Sequence, residues 1–204
     1  MKYNLTCKFM GTFYHHCAKE NLINKGVTKE KLKAVKKEYK EICLRAKDIG
    51  KAQLLTSYLM GAYFIAMNRS TGLSKQENID CLMDGCIDNK IFRKAMGTAD
   101  NYFDPERTEK RKEWSKKSKL REYENDWVLD VLDKTDDYEL GYNYYECGVC
   151  KLFKDEGCFE DAKYMCATDF KMADMMNLKL ERTQTLAEGG EFCDFRYSHK
   201  DYKK

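Results

Sequence analysis

The side chains with most chemistry to offer lie between Cys147 and Tyr197. Cys147-x-x-Cys150 comes first, with Cys158 and Cys166 downstream. A helix over 146–154 would put Cys147 and Cys150 about one turn apart on one face, close enough to share a metal or form a redox pair. Zinc held by Cys147, Cys150 and Cys166 is the minor metal expectation. Structural zinc sites present two tight pairs, and the second pair here is spread over a C-x7-C spacing. A thioredoxin-type context is not evident. Cys166-x-x-Asp169 would be helical neighbours, with Asp169 on a face shared with Ala162 and Ala173. A carboxylate there needs a partner, as a structural group held by backbone or Arg, or as an acid/base beside a thiol. The third cluster lies in the closing strands. Alternation puts Asp194 and Arg196 on one face of the last strand and Cys193, Phe195 and Tyr197 on the other. Arg182 on the facing strand joins the polar set, as an ion pair or a clamp for a ligand carboxylate. The histidines offer no Ser-His-Asp spacing or HExxH, and the chain has no P-loop or dinucleotide fingerprint.

These residues need elements to position them. Thr28 precedes an apolar stripe, Leu32, Val35, Tyr39, Ile42 and Cys43, that predicts a helix over Lys29–Leu44. Ala52–Asn68 is apolar almost all round, as in a helix enclosed by others, and is expected to pack beneath the C-terminal sheet. Ser74 with Glu77 reads as a capping box. Asp104-Pro105-Glu106 opens another helix. The run Glu106–Lys119, seven Lys/Arg against three Glu, reads as a solvated helix face. After Asp133 the pattern predicts a strand over Tyr138–Tyr145, helices over Glu146–Lys154 and Cys158–Ala173, and strands over Leu178–Ala187 and Phe192–Ser198 joined by a turn at Gly189-Gly190. The expected class is α+β: a helical N-terminal half packed on a C-terminal strand–helix–helix–β-hairpin unit. Residues 1–204 are expected to form one domain, with 1–134 mainly helical and 135–204 carrying the motifs.

Composition bounds the alternatives. The chain has 204 residues, 43% hydrophobic and 35% charged with a single proline, which excludes collagen-like and low-complexity classes. A net charge of +3 gives no global argument for nucleic acid or an anionic membrane, so the expected partner is a small molecule. Ten cysteines would suit a disulfide framework only in a short secreted chain. This chain is long enough to bury a core, and Met1–Lys8 has no apolar leader segment, so reduced thiols in the cytoplasm are expected.

Several blocks also carry a family resemblance: Asp126-Trp127, Tyr142–Gly148, Tyr164–Phe170, Leu180–Leu186, Gly189 and Cys193–Tyr197. In order and spacing they resemble the L-2-amino-thiazoline-4-carboxylic acid hydrolase family. The resemblance implies a hydrolase that opens a cyclic amidine to an N-carbamoyl-cysteine-type product. It puts Cys147, Cys166 and Cys193 on characteristic cysteine positions and makes Cys150 and Cys158 extras. The catalytic set it suggests is Cys193, ahead of Cys147 and Cys166, as nucleophile, with Asp169 or Asp194 moving the proton. Arg182 or Arg196 would hold the substrate carboxylate, with Thr185 beside it. A fainter similarity to 4-vinyl-reductase-type domains, through Gly190–Phe195, implies instead a small-molecule sensor or carrier.

Overall fold

The computed structural model describes residues 2–50 and 53–202. Its helical half comprises α1 (Leu5–Asn24), α2 (Lys29–Arg45), α3 (Leu55–Ser70), α4 (Lys75–Asp88), α5 (Lys90–Met96), α6 (Ala99–Tyr102) and α7 (Pro105–Ser118). Local chemistry starts the elements where the sequence indicates. The Thr28 hydroxyl accepts from the Lys31 amide, and Ser74 and Glu77 form the reciprocal capping box. Asp104 caps α7 at the Arg107 amide, with Pro105 in its first turn. Each satisfies amide donors that a helix start leaves unpaired.

Every residue of α3 from Tyr58 to Met67 is buried. That requires neighbours on all sides, and α1, α2, α4 and α8 supply them. The expected helix start at Ala52 lies outside the described residues. The helix itself does not lie beneath the sheet; α7 and α9 are the helices packed on the strands. In this helical core the thiols of Cys7 and Cys43 meet, as do those of Cys17 and Cys86, and all four are buried.

The remaining elements are β1 (Val128–Leu132), β2 (Leu140–Glu146), α8 (Gly148–Asp155), α9 (Ala162–Met175), β3 (Leu178–Glu181) and β4 (Cys193–His199). The α+β expectation holds. The four strands form an antiparallel sheet in the order β1-β2-β4-β3. Edge strand β1 was not anticipated; its five residues carry Asp130 in mid-strand and give little alternation to read. Tyr142 pairs with Phe195, Tyr144 with Cys193 and Leu180 with Tyr197, so these side chains share one face. That face looks toward α6 and α9; Asn143, Asp194 and Arg196 look the other way.

Two boundary corrections matter for chemistry. Glu146 ends β2, so Cys147 is the N-cap of α8 and not a residue within a helix. β3 stops at Glu181 because the Asp194 carboxylate takes the Thr183 and Gln184 amides at 2.9 and 2.8 Å, replacing ladder partners. Residues 182–192 therefore form a long connection with a 3₁₀ turn at Leu186–Glu188, ended by Gly189 at φ +86°. No tight hairpin turn forms at Gly189-Gly190.

Gly148 fixes the start of α8. A Cβ there would stand 2.6 Å from the Asn125 carbonyl oxygen and 2.7 Å from the Trp127 ring. Gly148→Ala is expected to lower unfolding stability by about 1–3 kcal/mol. Gly189→Ala, which meets only the cost of a positive φ, should lose about 1 kcal/mol. Urea unfolding of both variants checks the order.

Candidate active site

The shared face of β2 and β4 carries a cluster of aromatic rings facing α6 and α9, called the recess below. Tyr142, Tyr144, Phe195 and Tyr197 line it, with Tyr142–Tyr144 ring centroids 5.7 Å apart and Tyr144–Phe195 5.3 Å apart. Tyr102 of α6 closes over Tyr197 at 4.9 Å. Burial raises the Tyr102, Tyr144 and Tyr197 hydroxyls above the ordinary tyrosine range, yet Tyr102 and Tyr144 keep part of their accessible surface.

Asp169 has the same character. It projects from α9 and keeps 24% side-chain accessibility, while burial pushes its carboxyl up to about 6 against the opposing pull of Arg182. Arg182 is only 6% accessible and meets the Asp169 carboxylate at 2.8 Å. It also donates to the Cys166 carbonyl at 3.1 Å. Its guanidinium lies between the Phe170 and Phe195 rings, 4.9 and 5.0 Å from their centroids. Both its charge and its plane are thus fixed by protein partners. Outside it, Arg182 lines a surface groove of about 230 Å³ with Phe170, Thr185 and Glu188; Asp169 and Cys147 are not on that groove.

Cys147 stands at the recess end of β2. The Cys150 thiol contacts its sulfur and lowers its pKa, burial opposes this, and the Cys150 and Val149 amides lower it further. Those amides favour the thiolate without reaching the geometry of a capping hydrogen bond. The Asp169 charge raises both Cys147 and Tyr144, and on Cys147 it works against the lowering by Cys150 and the amides. Cys150 is raised in turn by its contacts with Cys147 and then Cys166, and by burial. The thiols of Cys147, Cys150 and Cys166 therefore form one group, although Cys150 reads as an extra in the sequence. Among the described residues, no group of three or more His, Cys, Asp and Glu side chains is arranged to hold a metal ion.

The other expected site residues stand differently. Cys193 is 4% exposed, burial pushes its thiol up to about 12, and its sulfur accepts the Leu186 amide at 3.2 Å. It is a packed thiol, and its burial disfavours the thiolate form. Asp194 faces the opposite side of the sheet. Although burial works against its ionisation, the Thr183 hydroxyl and the Gln184 and Thr183 amides hold its carboxyl below the ordinary range. Arg196, also on the far face, donates to the Tyr142 carbonyl and Asn143 Oδ1, both at 2.9 Å, and stacks on Tyr138. Alternation separates it from Cys193, so it does not reach the recess. The buried Thr185 hydroxyl donates to Glu188 at 2.8 Å and serves the turn.

The model of one family matches residues 52–197, more than half of the chain: L-2-amino-thiazoline-4-carboxylic acid hydrolase. The chain belongs to this family. The matched span runs from α3 into β4, and so takes in Cys147, Asp169, Arg182 and the tyrosines Tyr102, Tyr142, Tyr144 and Tyr197. No curated protein and no solved structure matches the chain. No helix among the described residues is long and apolar enough to cross a membrane.

Sequence reasoning missed Tyr102, Arg111 and Trp114. The available signal was Trp114 within a lysine-rich run, since a large aromatic there marks a face turned inward.

With one depressed and one elevated thiol beside the same space, iodoacetamide at neutral pH is expected to label Cys147 at least about tenfold faster than Cys193. Peptide mapping by mass spectrometry at short times reads the order directly; Cys193 labelling first would reverse the assignment.

Proposed function

We propose that this family member hydrolyses a small cyclic amidine of the 2-amino-thiazoline-4-carboxylate type, with Cys147 as nucleophile. One observation carries the reading: the Cys147 thiol stands at the start of α8, and the charge of the largely desolvated Asp169–Arg182 pair acts on it. The family description supplies the reaction type.

The chemistry divides into two displacements at one carbon. The Cys147 thiolate adds to the carbon between nitrogen and sulfur of the protonated ring amidine, whose proton stays on the ring nitrogen, and the ring C–S bond breaks with its electron pair leaving on sulfur. This gives an isothiouronium ester on Cys147. Ionised Asp169 then takes a proton from water as the water oxygen adds to the same carbon. The C–S bond to Cys147 breaks, the thiolate is restored and a urea results. Of the two water protons, one passes through Asp169 to the former ring sulfur and the other goes to solvent. Arg182 acts as a positioning residue: it holds Asp169 on the recess wall and stabilises its ionised form. Ten unbridged cysteines suit a reducing compartment, and the cytoplasm is the setting proposed.

The test is incubation with a panel of thiazolines, cyclic amidines and lactams, followed by mass spectrometry of ring-opened products. Thiazoline opening is expected, with kcat lowered about 10²- to 10⁴-fold in Asp169→Asn and turnover lost in Cys147→Ala. Asp169 acts ionised, so kcat/KM should rise with pH through about 6, and this limb should vanish in Asp169→Asn. Thermal stabilisation by a ring compound without turnover of any would support a binding module instead.

A further inference from the structure

The proposed substrate carries a carboxylate, and both expected arginines are already committed to protein partners. Arg182 is engaged by Asp169 and the Cys166 carbonyl, and Arg196 is on the far face of the sheet. A third arginine approaches the recess from the other side. Arg111 of α7 lies over the Tyr102 ring, its guanidinium carbon 4.4 Å from the centroid. It donates one hydrogen bond, to the Tyr102 carbonyl at 2.5 Å, and has no carboxylate partner among the described residues. Its neighbours on α7 differ: Lys110 pairs with Glu106, and Lys112 pairs with Glu109 and Asp133.

The Arg111 charge also lowers the Tyr102 and Tyr142 hydroxyls against the effect of burial, so its field reaches both. Three residues further along α7, on the same face, stands Trp114. Its indole Nε1 is the one buried side-chain polar atom without a hydrogen-bond partner among the described residues. Buried donors without acceptors are costly, and native structures leave few. A guanidinium with no carboxylate partner and an orphaned indole N–H on one helix face can both be met by one acceptor that carries negative charge. The Tyr102 hydroxyl, which also meets Tyr142 and Tyr197, adds a polar group at that end.

We propose that Arg111 and Trp114 of α7, with Tyr102, form a subsite that receives the carboxylate of a small ring acid and selects such acids over their uncharged parents. The proposal rests on the hydrolase reading only for the identity of the ring; the subsite itself is built from α6 and α7. It divides the recess by task. The Cys147–Asp169–Arg182 end works on the ring carbon, and the α7 end holds the acid.

Calorimetric titration tests this with paired probes: 2-amino-2-thiazoline-4-carboxylate and 2-amino-2-thiazoline, then thiazolidine-4-carboxylate and thiazolidine. Wild type should bind each acid about 10- to 100-fold more tightly than its parent. Arg111→Gln should abolish that preference by weakening the acid alone, and Arg111→Lys should retain part of it. Trp114→Phe, which removes the N–H and keeps the ring, should weaken the acid by a smaller factor. Thermal unfolding of each variant reports whether the fold survives; loss of the preference in Trp114→Phe with an unchanged melting temperature supports the subsite even if Arg111→Gln unfolds. Equal acid affinity in wild type, Arg111→Gln and Trp114→Phe would overturn the proposal, as would a wild type with no preference for acids. Acid preference without ring opening would defeat the hydrolase reading and leave the subsite standing.

Discussion

The ion pair between Asp169 and Arg182 is the contact on which the site depends. It joins α9 to the chain leaving β3, and both partners are largely withdrawn from water. Such a pair contributes little net stability, because desolvation offsets attraction, but removing one partner leaves the other charge stranded at a cost on the order of 3–5 kcal/mol. The sequence accommodates Arg182 in several ways at once. Phe170 and Phe195 cover its faces, the Cys166 carbonyl takes a second donor, and Asp194 draws the following amides away from the ladder. That diversion shortens β3, and the long connection after it covers Cys193 through the Leu186 amide.

The same pair stands between two features. On one side Arg182 lines the surface groove with Thr185; on the other the Asp169 charge acts on Tyr144 of the aromatic sheet face. Burial raises the Asp169 carboxyl, and Arg182 opposes it. Burial opposed by Arg182 brings it to about 6, near where proton transfer at physiological pH is most effective. The thiols divide by the same logic: contact with Cys150 and the α8 amides favours Cys147 as thiolate, and burial disfavours Cys193.

Much of this was legible in the sequence, because helix starts are local. Ser74 with Glu77 and Asp104 with Pro105 signal their caps within a few residues. The Asp169–Arg182 partnership was among the readings open to a carboxylate on an apolar helix face. What failed were choices that depend on tertiary contacts. The chain does not reveal that Asp194 would compete for the Thr183 amide, so β3 read too long. A one-residue difference in where β2 ends moved Cys147 from a helix face to a helix cap and changed its chemistry. Arg111 was hidden by composition: among many lysines it reads as solvated, and only the fold turns its face toward Tyr102.

The central claim is that Cys147 is the atom that attacks the ring. Acid quenching of the protein during turnover of 2-amino-2-thiazoline-4-carboxylate, followed by peptide mass spectrometry, tests it most directly. The account predicts an adduct of one whole substrate mass on the peptide containing Cys147, absent in Cys147→Ser and accumulating in Asp169→Asn, where the water step is slowed. An adduct on Cys193 or Cys166, or undiminished turnover in Cys147→Ser with no adduct anywhere, would contradict it.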